Sequence, residues 1–291
     1  CGQFNLSFYA MPELPEVEVS RLGITPHVMN QTIEQFIIRN GALRWAVNPA
    51  LVSILKNARV SHTSRRGKYL ILHCDCADGS RGVLLIHLGM SGSLRIVAHD
   101  AVVQKHDHLD WVFGSLRLRY HDPRRFGSVL WHDLVDGDYL LHPRLAGLGV
   151  EPFGDGFDGV YFFKRAQLRS QAIKVVLLGG EIVVGVGNIY ASEVLFQCKI
   201  HPATPANLLS KHQCALIAAQ VKTVLANAIA RGGSTLKDFV NSDGASGYFQ
   251  LEACVYNRAG LPCVRCKSPI EHMMQGQRAT YFCPRCQKLK T

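Results

Sequence analysis

The sequence predicts an α+β protein: an N-terminal antiparallel β-sandwich with flanking helices, then a helical domain that ends in a small cysteine-bearing hairpin. Three observations predict it. Between Met11 and about His142, short apolar runs are broken by turn residues at the intervals of a sandwich or barrel. Beyond the glycine- and proline-rich stretch Gly147–Gly156, the apolar period lengthens to that of a helix. From about Cys254 the chain is too small and polar to bury a core unaided, and it carries two pairs of cysteines.

Residues Cys1–Ala10 lack the basic start and long apolar stretch of a signal peptide and read as a leader or as truncated upstream sequence. Met11–Glu18 reads as a helix start. Pro15 has no N–H to leave unpaired in a first turn, and Glu16 and Glu18 complement the positive helix end. Leu70–Leu72, Val83–Leu88, Leu94–Val97, Leu116–Tyr120 and Val129–Trp131 read as strands, with turns at Asp78-Gly79, Ser91-Gly92 and Gly114-Ser115. These define a first domain over 11–145 and a hinge over 146–156. Ile217, Val221, Val224, Leu225 and Ala228 form one face of an amphipathic helix stopped by Gly232-Gly233, within a helical domain over 157–253. The hairpin module takes 254–291.

At 291 residues the chain has room for about two domains, each with its own core. Its formal charge of +10, from 32 Lys and Arg against 22 Asp and Glu, points to a polyanionic partner. No continuous apolar run reaches the ~18 residues of a bilayer span, so no membrane partner is expected. Ten cysteines in a chain of this length, without a secretion signal, fit a reducing cytoplasm.

Cys263-x2-Cys266 and Cys283-x2-Cys286, sixteen residues apart, have the spacing of a four-cysteine Zn²⁺ site between the turns of a hairpin. Four thiolates close the tetrahedron, so the expected ion is single and structural. The alternative reading is two disulfides or free thiols.

Pro12 carries the catalytic expectation. As a chain terminus it would offer a secondary amine, and an α-amino group with a reference pKa of about 7.7–8.0 is partly neutral at physiological pH. Such an amine can attack a sugar C1′ and form an iminium. Because proline is secondary the adduct is cationic, which acidifies C2′ and favours loss of the 3′ phosphate. With Cys1–Ala10 attached, Pro12 is an amide and cannot do this, so translation from Met11 and removal of that Met are expected.

The motifs PELPEVE at 12–18, RRGKYL at 65–70, HLGMSGSLR at 87–95, KHDH at 105–108, DPRRFG at 122–127, VVGVGNIYASE at 183–193, GGSTLKDF at 232–239 and the paired cysteines, in this order, resemble the formamidopyrimidine-DNA glycosylase family across essentially all of Met11–Lys288. The resemblance implies a monomeric, bifunctional glycosylase and lyase of base excision repair that removes oxidised purines from damaged double-stranded DNA, with a helix–two-turn–helix domain ahead of a zinc finger. It implies Pro12 as nucleophile, Glu13 as general acid with Glu16 in support, and Lys68 between lesion and phosphate. Asn188 and Arg278 would grip phosphates, Arg278 also serving catalysis. Met90, Arg124 and Phe126 resemble the wedge that fills the hole left by a flipped nucleotide. His87 is read as a phosphate contact, and His108 joins the DNA-binding set although structural roles are preferred for it and His106. Lys237 opens a segment, 237–248, that resembles the loop closing over an oxidised purine. Pro143–Gly149 departs from the family by its length. The rival readings are the endonuclease VIII-like branch, which prefers oxidised pyrimidines, and a non-catalytic DNA-binding protein.

Overall fold

The computed structural model describes residues 12–232 and 253–289. Lys237 and the 237–248 segment lie outside the described residues. In chain order the elements are α1 (Leu14–Val28), β1 (Thr32–Ile33), β2 (Gln35–Ile38), α2 (Leu51–Ile54), β3 (Ala58–Arg66), β4 (Tyr69–Asp75), β5 (Arg81–His87), β6 (Ser93–Ala98), β7 (Asp107–Phe113), β8 (Leu116–His121) and β9 (Ser128–Asp133). There follow α3 (Gly159–Ala166), α4 (Ile173–Gly179), α5 (Asn188–Gln197), α6 (Lys211–Ala230), β10 (Glu271–Gln275) and β11 (Arg278–Phe282).

The first nine strands make two antiparallel sheets, ordered β1-β3-β4-β5-β9 and β2-β7-β8-β6, and β10-β11 is a separate hairpin. All five expected strands are present. β3 and β7 escape a search for apolar alternation for different reasons. The sequence of β3, ARVSHTSRR, offers few apolar residues. β7, DHLDWVF, buries every residue despite its charges, because the Asp110 carboxylate meets Arg119 Nε at 2.9 Å and also pairs with Arg39 and Arg117. The Arg119 and Arg39 guanidiniums hold that carboxyl down at about 2 against the opposing effect of burial.

The expectation of two separate cores is corrected by the packing. One contiguous apolar cluster runs from the sandwich (Leu72, Ile86, Trp111) through α1 (Leu14, Val17, Ile24) into the helical half (Ile189, Ile217, Leu225). α1 touches β3, β4 and β6 on one side and α6 on the other. A small second cluster of Ile71, Val83, Leu85 and Leu145 covers the far side of the first sheet.

α6 also corrects the reading of apolar runs, since by length and composition it could cross a membrane. In the fold it is a core helix. Ser210 caps it through Gln213 N–H, and the predicted stripe of Ile217, Val221, Val224, Leu225 and Ala228 is buried. Past Gly156, Asp158 caps α3 by accepting from Tyr161 N–H at 2.7 Å.

Candidate functional site

The N-terminus of α1 docks on the turn before α5. Leu14 N–H donates to Gly185 O at 3.1 Å, and a side chain at either turn glycine would collide with α1. Gly185 has φ +84° and would place a Cβ 2.4 Å from Leu14, while one at Gly187 would lie 2.1 Å from the Glu13 carboxyl carbon. That clearance lets Glu13 act as the anion at the positive end of α5. Its oxygens accept from Gly187 N–H at 2.9 Å and Ile189 N–H at 3.0 Å. Glu16 accepts from Glu13 N–H at 2.8 Å and from the Tyr190 hydroxyl at 2.5 Å, fixing Glu13 from the other side. Burial pushes the Glu13 carboxyl up to about 7, with Lys68 and the Ile189 and Tyr190 N–H groups opposing and Glu16 assisting. Pro12 is buried immediately beside it.

Lys68 arrives from the tight turn between β3 and β4. Burial lowers its pKa, Glu13 opposes that, and the nearby Arg278 charge adds to it. The turn is pinned by Glu151 of the connector, which accepts from Arg65 at 2.8 Å, Arg66 at 3.1 Å and Gly67 N–H at 2.6 Å. A parallel bridge between Val150 and Val183 continues the tie into the helical half. The 146–156 connector is therefore an anchored segment that sets where Lys68 stands.

Asn188, the first residue of α5, is not an open side chain. It accepts from Lys174 Nζ at 2.6 Å and donates to Ala279 O at 3.0 Å. Lys174 also reaches Thr280 Oγ1 at 2.7 Å, so the pair rivets α4 and α5 to β11, the strand that begins at the exposed Arg278. Burial brings the Lys174 amine down to about 7. Sequence reasoning missed Lys174, Glu151 and Glu193. The one signal for the first was a lone lysine in the apolar run Ile173–Leu178.

Met90, Arg124 and Phe126 come together at one rim. With Ala42, Arg44 and Arg125 they line an open depression. Phe126 is 44% exposed, and the Arg124 guanidinium lies 4.8 Å over its ring. Beneath them Asp122, fully buried, organises the turn: Oδ1 accepts from the Ser91 hydroxyl at 2.7 Å and Arg124 N–H at 3.2 Å, and Oδ2 from Gly127 N–H at 2.9 Å. His108 is buried and donates from Nε2 to Asp122 O at 2.8 Å, so it supports this turn from below. His106, at φ +76°, stacks edge-on with His108 and His121. His87 is different. Its Nδ1 accepts from Gly89 N–H at 3.0 Å, which leaves the proton on Nε2. Burial, Lys68 and Arg44 push it down to about 4, so the ring is a neutral donor at physiological pH.

Cys263, Cys266, Cys283 and Cys286 converge with all four sulfurs within 4.8 Å of one another. The Cys266–Cys283 and Cys263–Cys286 sulfur pairs lie at 3.4 and 4.0 Å, against about 3.8 Å for a tetrahedron with Zn–S of about 2.3 Å. Arg265 and Cys286 N–H groups point at Cys263 and Cys283 Sγ, as they do around thiolates. This is one closed, structural Zn²⁺ site. The other cysteines among the described residues, Cys74, Cys76, Cys198, Cys214 and Cys254, form no disulfide.

Comparison with known proteins agrees with this geometry. The chain matches the formamidopyrimidine-DNA glycosylase N-terminal domain over residues 11–129, the H2TH domain of the same family over 148–240, and the zinc finger found in FPG and IleRS over 260–289. It is 52% identical over 288 residues to the formamidopyrimidine-DNA glycosylase of Ralstonia nicotianae and 52% over 279 residues to that of Bordetella avium, in each case covering 96% of this chain and all of the relative. Among solved structures, the MutM (Fpg) protein of Thermus thermophilus superposes with a TM-score of 0.84 at 35% identity, covering 96% of this chain and 100% of that one. The Lactococcus lactis Fpg in complex with DNA containing an abasic site gives 0.86 at 34% identity, covering 95% and 99%. With two domains and a zinc module matched in order along nearly the whole chain, the protein belongs to the formamidopyrimidine-DNA glycosylase family.

Proposed function

We propose that this chain excises oxidised purines, 8-oxoguanine and formamidopyrimidines, from duplex DNA through the amine of Pro12 and then cleaves the emptied strand by β,δ-elimination. The observation that carries the reading is Glu13: a buried carboxyl at a helix N-terminus, brought to about 7, next in sequence to Pro12 and within the field of Lys68. The neutral amine attacks C1′ as the bond to the damaged base breaks, and the base leaves with the electron pair and takes up the proton that the amine nitrogen gives up. Glu13 delivers its proton to the ring oxygen O4′, which opens the sugar and leaves a cationic iminium. Loss of a C2′ proton then expels the 3′ phosphate, and a second elimination expels the 5′ phosphate. Lys68 and Arg278 stabilise the negative charge of those leaving phosphates. His87 holds the backbone, Asn188 acts through Lys174 and Ala279 to hold β11 and its Arg278 in place, and Met90, Arg124 and Phe126 occupy the vacated stack. Residues 146–156 act as the hinge between 11–145 and 157–253, and the enzyme works on chromosomal DNA.

The test uses end-labelled duplex with one 8-oxoguanine and borohydride. A chain that begins at Pro12 should be trapped covalently and should cut the strand, and Pro12→Gly should be impaired in both. A chain extended by Cys1–Ala10 should be silent, because its nitrogen is an amide. If the extended chain traps as well as the Pro12-start chain, Pro12 is not the nucleophile.

A further inference from the structure

The connector ahead of the hinge carries a feature that the chemistry above does not use. Arg144 places its guanidinium 3.9 Å from the centroid of the Trp45 ring, and Arg44 stands over the same indole at 5.0 Å. Trp45 belongs to the loop between β2 and α2, whereas Arg144 comes from the Pro143–Gly149 stretch, about a hundred residues later. The indole thus clamps two cations from distant parts of the chain. Among the described residues neither guanidinium makes an ion pair with a carboxylate. Both residues are exposed. Two like charges held on one ring repel, and stacking returns only about 0.5–1 kcal/mol per cation at an exposed site, so the arrangement is suited to an anion arriving from solvent.

Its location says which anion. Arg44 lines the depression beside Met90, Arg124 and Phe126, and its N–H donates to Gly127 O at 3.1 Å, locking the loop to the wedge turn. Both guanidiniums act on Tyr69, whose ring packs 4.9 Å from His87, and Arg44 acts on His87 itself. The pair therefore lies on the path from the wedge to the lysine turn.

The geometry points to Arg144, clamped with Arg44 on Trp45, as a phosphodiester grip that the Pro143–Gly149 stretch adds to the DNA interface beside the wedge. The identity of the ligand as DNA backbone rests on the functional reading above. A planar guanidinium fixed by stacking loses little freedom when it meets a phosphate, and its fork donates to two phosphate oxygens.

The test is binding of duplex with a borohydride-reduced abasic site, measured by anisotropy from 50 to 300 mM salt, so that it reads independently of the chemistry. Arg144 is exposed, and Arg144→Gln should fold as the parent does. Its log–log salt slope should be shallower by about 0.9, the value of one neutralised phosphate. In duplexes with a single uncharged methylphosphonate linkage, one linkage near the lesion should weaken the parent and leave Arg144→Gln indifferent. Trp45→Leu keeps both charges and removes the platform, and should bind more weakly at every salt concentration. Equal slopes with identical methylphosphonate profiles overturn the proposal, as does a Trp45→Leu protein that binds like the parent. If the parent binds DNA with the predicted slope but never traps with borohydride, the glycosylase reading fails while the grip stands.

Discussion

The zinc hairpin and the cleft at the start of α1 meet the same helix, α5, and are held together by opposite means. The hairpin draws its four ligands from a short span, Cys263 to Cys286, and without the ion it has little apolar surface to keep it closed. The cleft is assembled from far apart. Glu13 takes its hydrogen bonds from residues 174 and 176 positions away, and Lys68 is set by Glu151 across the connector. Order in the hairpin is therefore conditional on a metal, and order in the cleft on burial and charge inside the finished fold. α5 joins them, receiving Glu13 at its first turn while Glu193, further along, accepts from Cys254, Val255 and Tyr256 N–H at 2.9, 3.0 and 2.9 Å.

The largest effect should come from breaking the metal side. A structural Zn²⁺ contributes about 10–16 kcal/mol to the folding of isolated fingers, so chelation or Cys283→Ser should unfold the hairpin, displace Arg278 and abolish duplex binding. Lys174 and Glu193 would lose their partners on 279–280 and 254–256, but the sandwich has no contact with the ion and should stay folded. Hydrogen exchange by mass spectrometry reads both halves at once. Rapid exchange confined to 254–289 is the expected result, and a zinc-free protein that keeps protection there and binds DNA would erase the contrast.

The next effect sharpens the cleft side. Glu13→Gln removes the proton donor, and loss of a positioned general acid costs typically 10²–10⁴ in rate. In the parent, excision should fall as pH rises through about 7, where Glu13 loses its proton, and Glu13→Gln should lack that limb. Stability has its own sign. The folded carboxyl holds its proton to a higher pH than the unfolded value of 4.5, so the folded state binds more protons between about 4.5 and 7 and the parent loses stability as pH rises across that window. Glu13→Gln should lack that contribution, so the stability difference between the two proteins should change across the window. On a pre-formed abasic site the sugar already opens in solution, so trapping should partly survive. A descending limb that persists in Glu13→Gln assigns the acid to another group.

What was legible in the sequence follows the same division. The cysteine spacing, the five strands read from short apolar or alternating runs and the stripe of α6 are local patterns, and each is where the pattern placed it. β7 was hidden because Asp107 and Asp110 interrupt its apolar pattern, and only the fold shows that Arg119 and Arg39 neutralise them. Glu151 and Glu193 carry no local signal, and only the fold shows what they accept. Asn188 was expected to face a phosphate, and nothing in a single sequence could show that Lys174 and Ala279 already hold its amide. Motif resemblance names which residues gather, but their mutual hydrogen bonds depend on pairs more than a hundred residues apart.

The smallest effect tests whether the wedge behaves like the cleft, as geometry held by one buried carboxylate. Asp122 receives four donors, the Ser91 and Tyr120 hydroxyls and the Arg124 and Gly127 N–H groups, and the turn it organises keeps Arg125 at φ +55°, a conformation that a side chain adopts at some cost. Asp122→Asn conserves shape but turns an NH2 group toward donors on one side, so hydrogen bonds to a charged acceptor worth about 1.5–3 kcal/mol each are weakened. Most of that loss should fall on the pose of Arg124 and Phe126, because His108 and β8 still hold the turn's base. Excision opposite cytosine should therefore approach excision opposite adenine, a narrowing of roughly 10-fold for about 1.4 kcal/mol, while lyase activity on a single-stranded abasic site, which has no partner base to recognise, changes little. Denaturant unfolding of the same protein supplies the control. If Asp122→Asn loses stability but keeps its opposite-base preference, the carboxylate supports only the sandwich, and the wedge is positioned by packing instead.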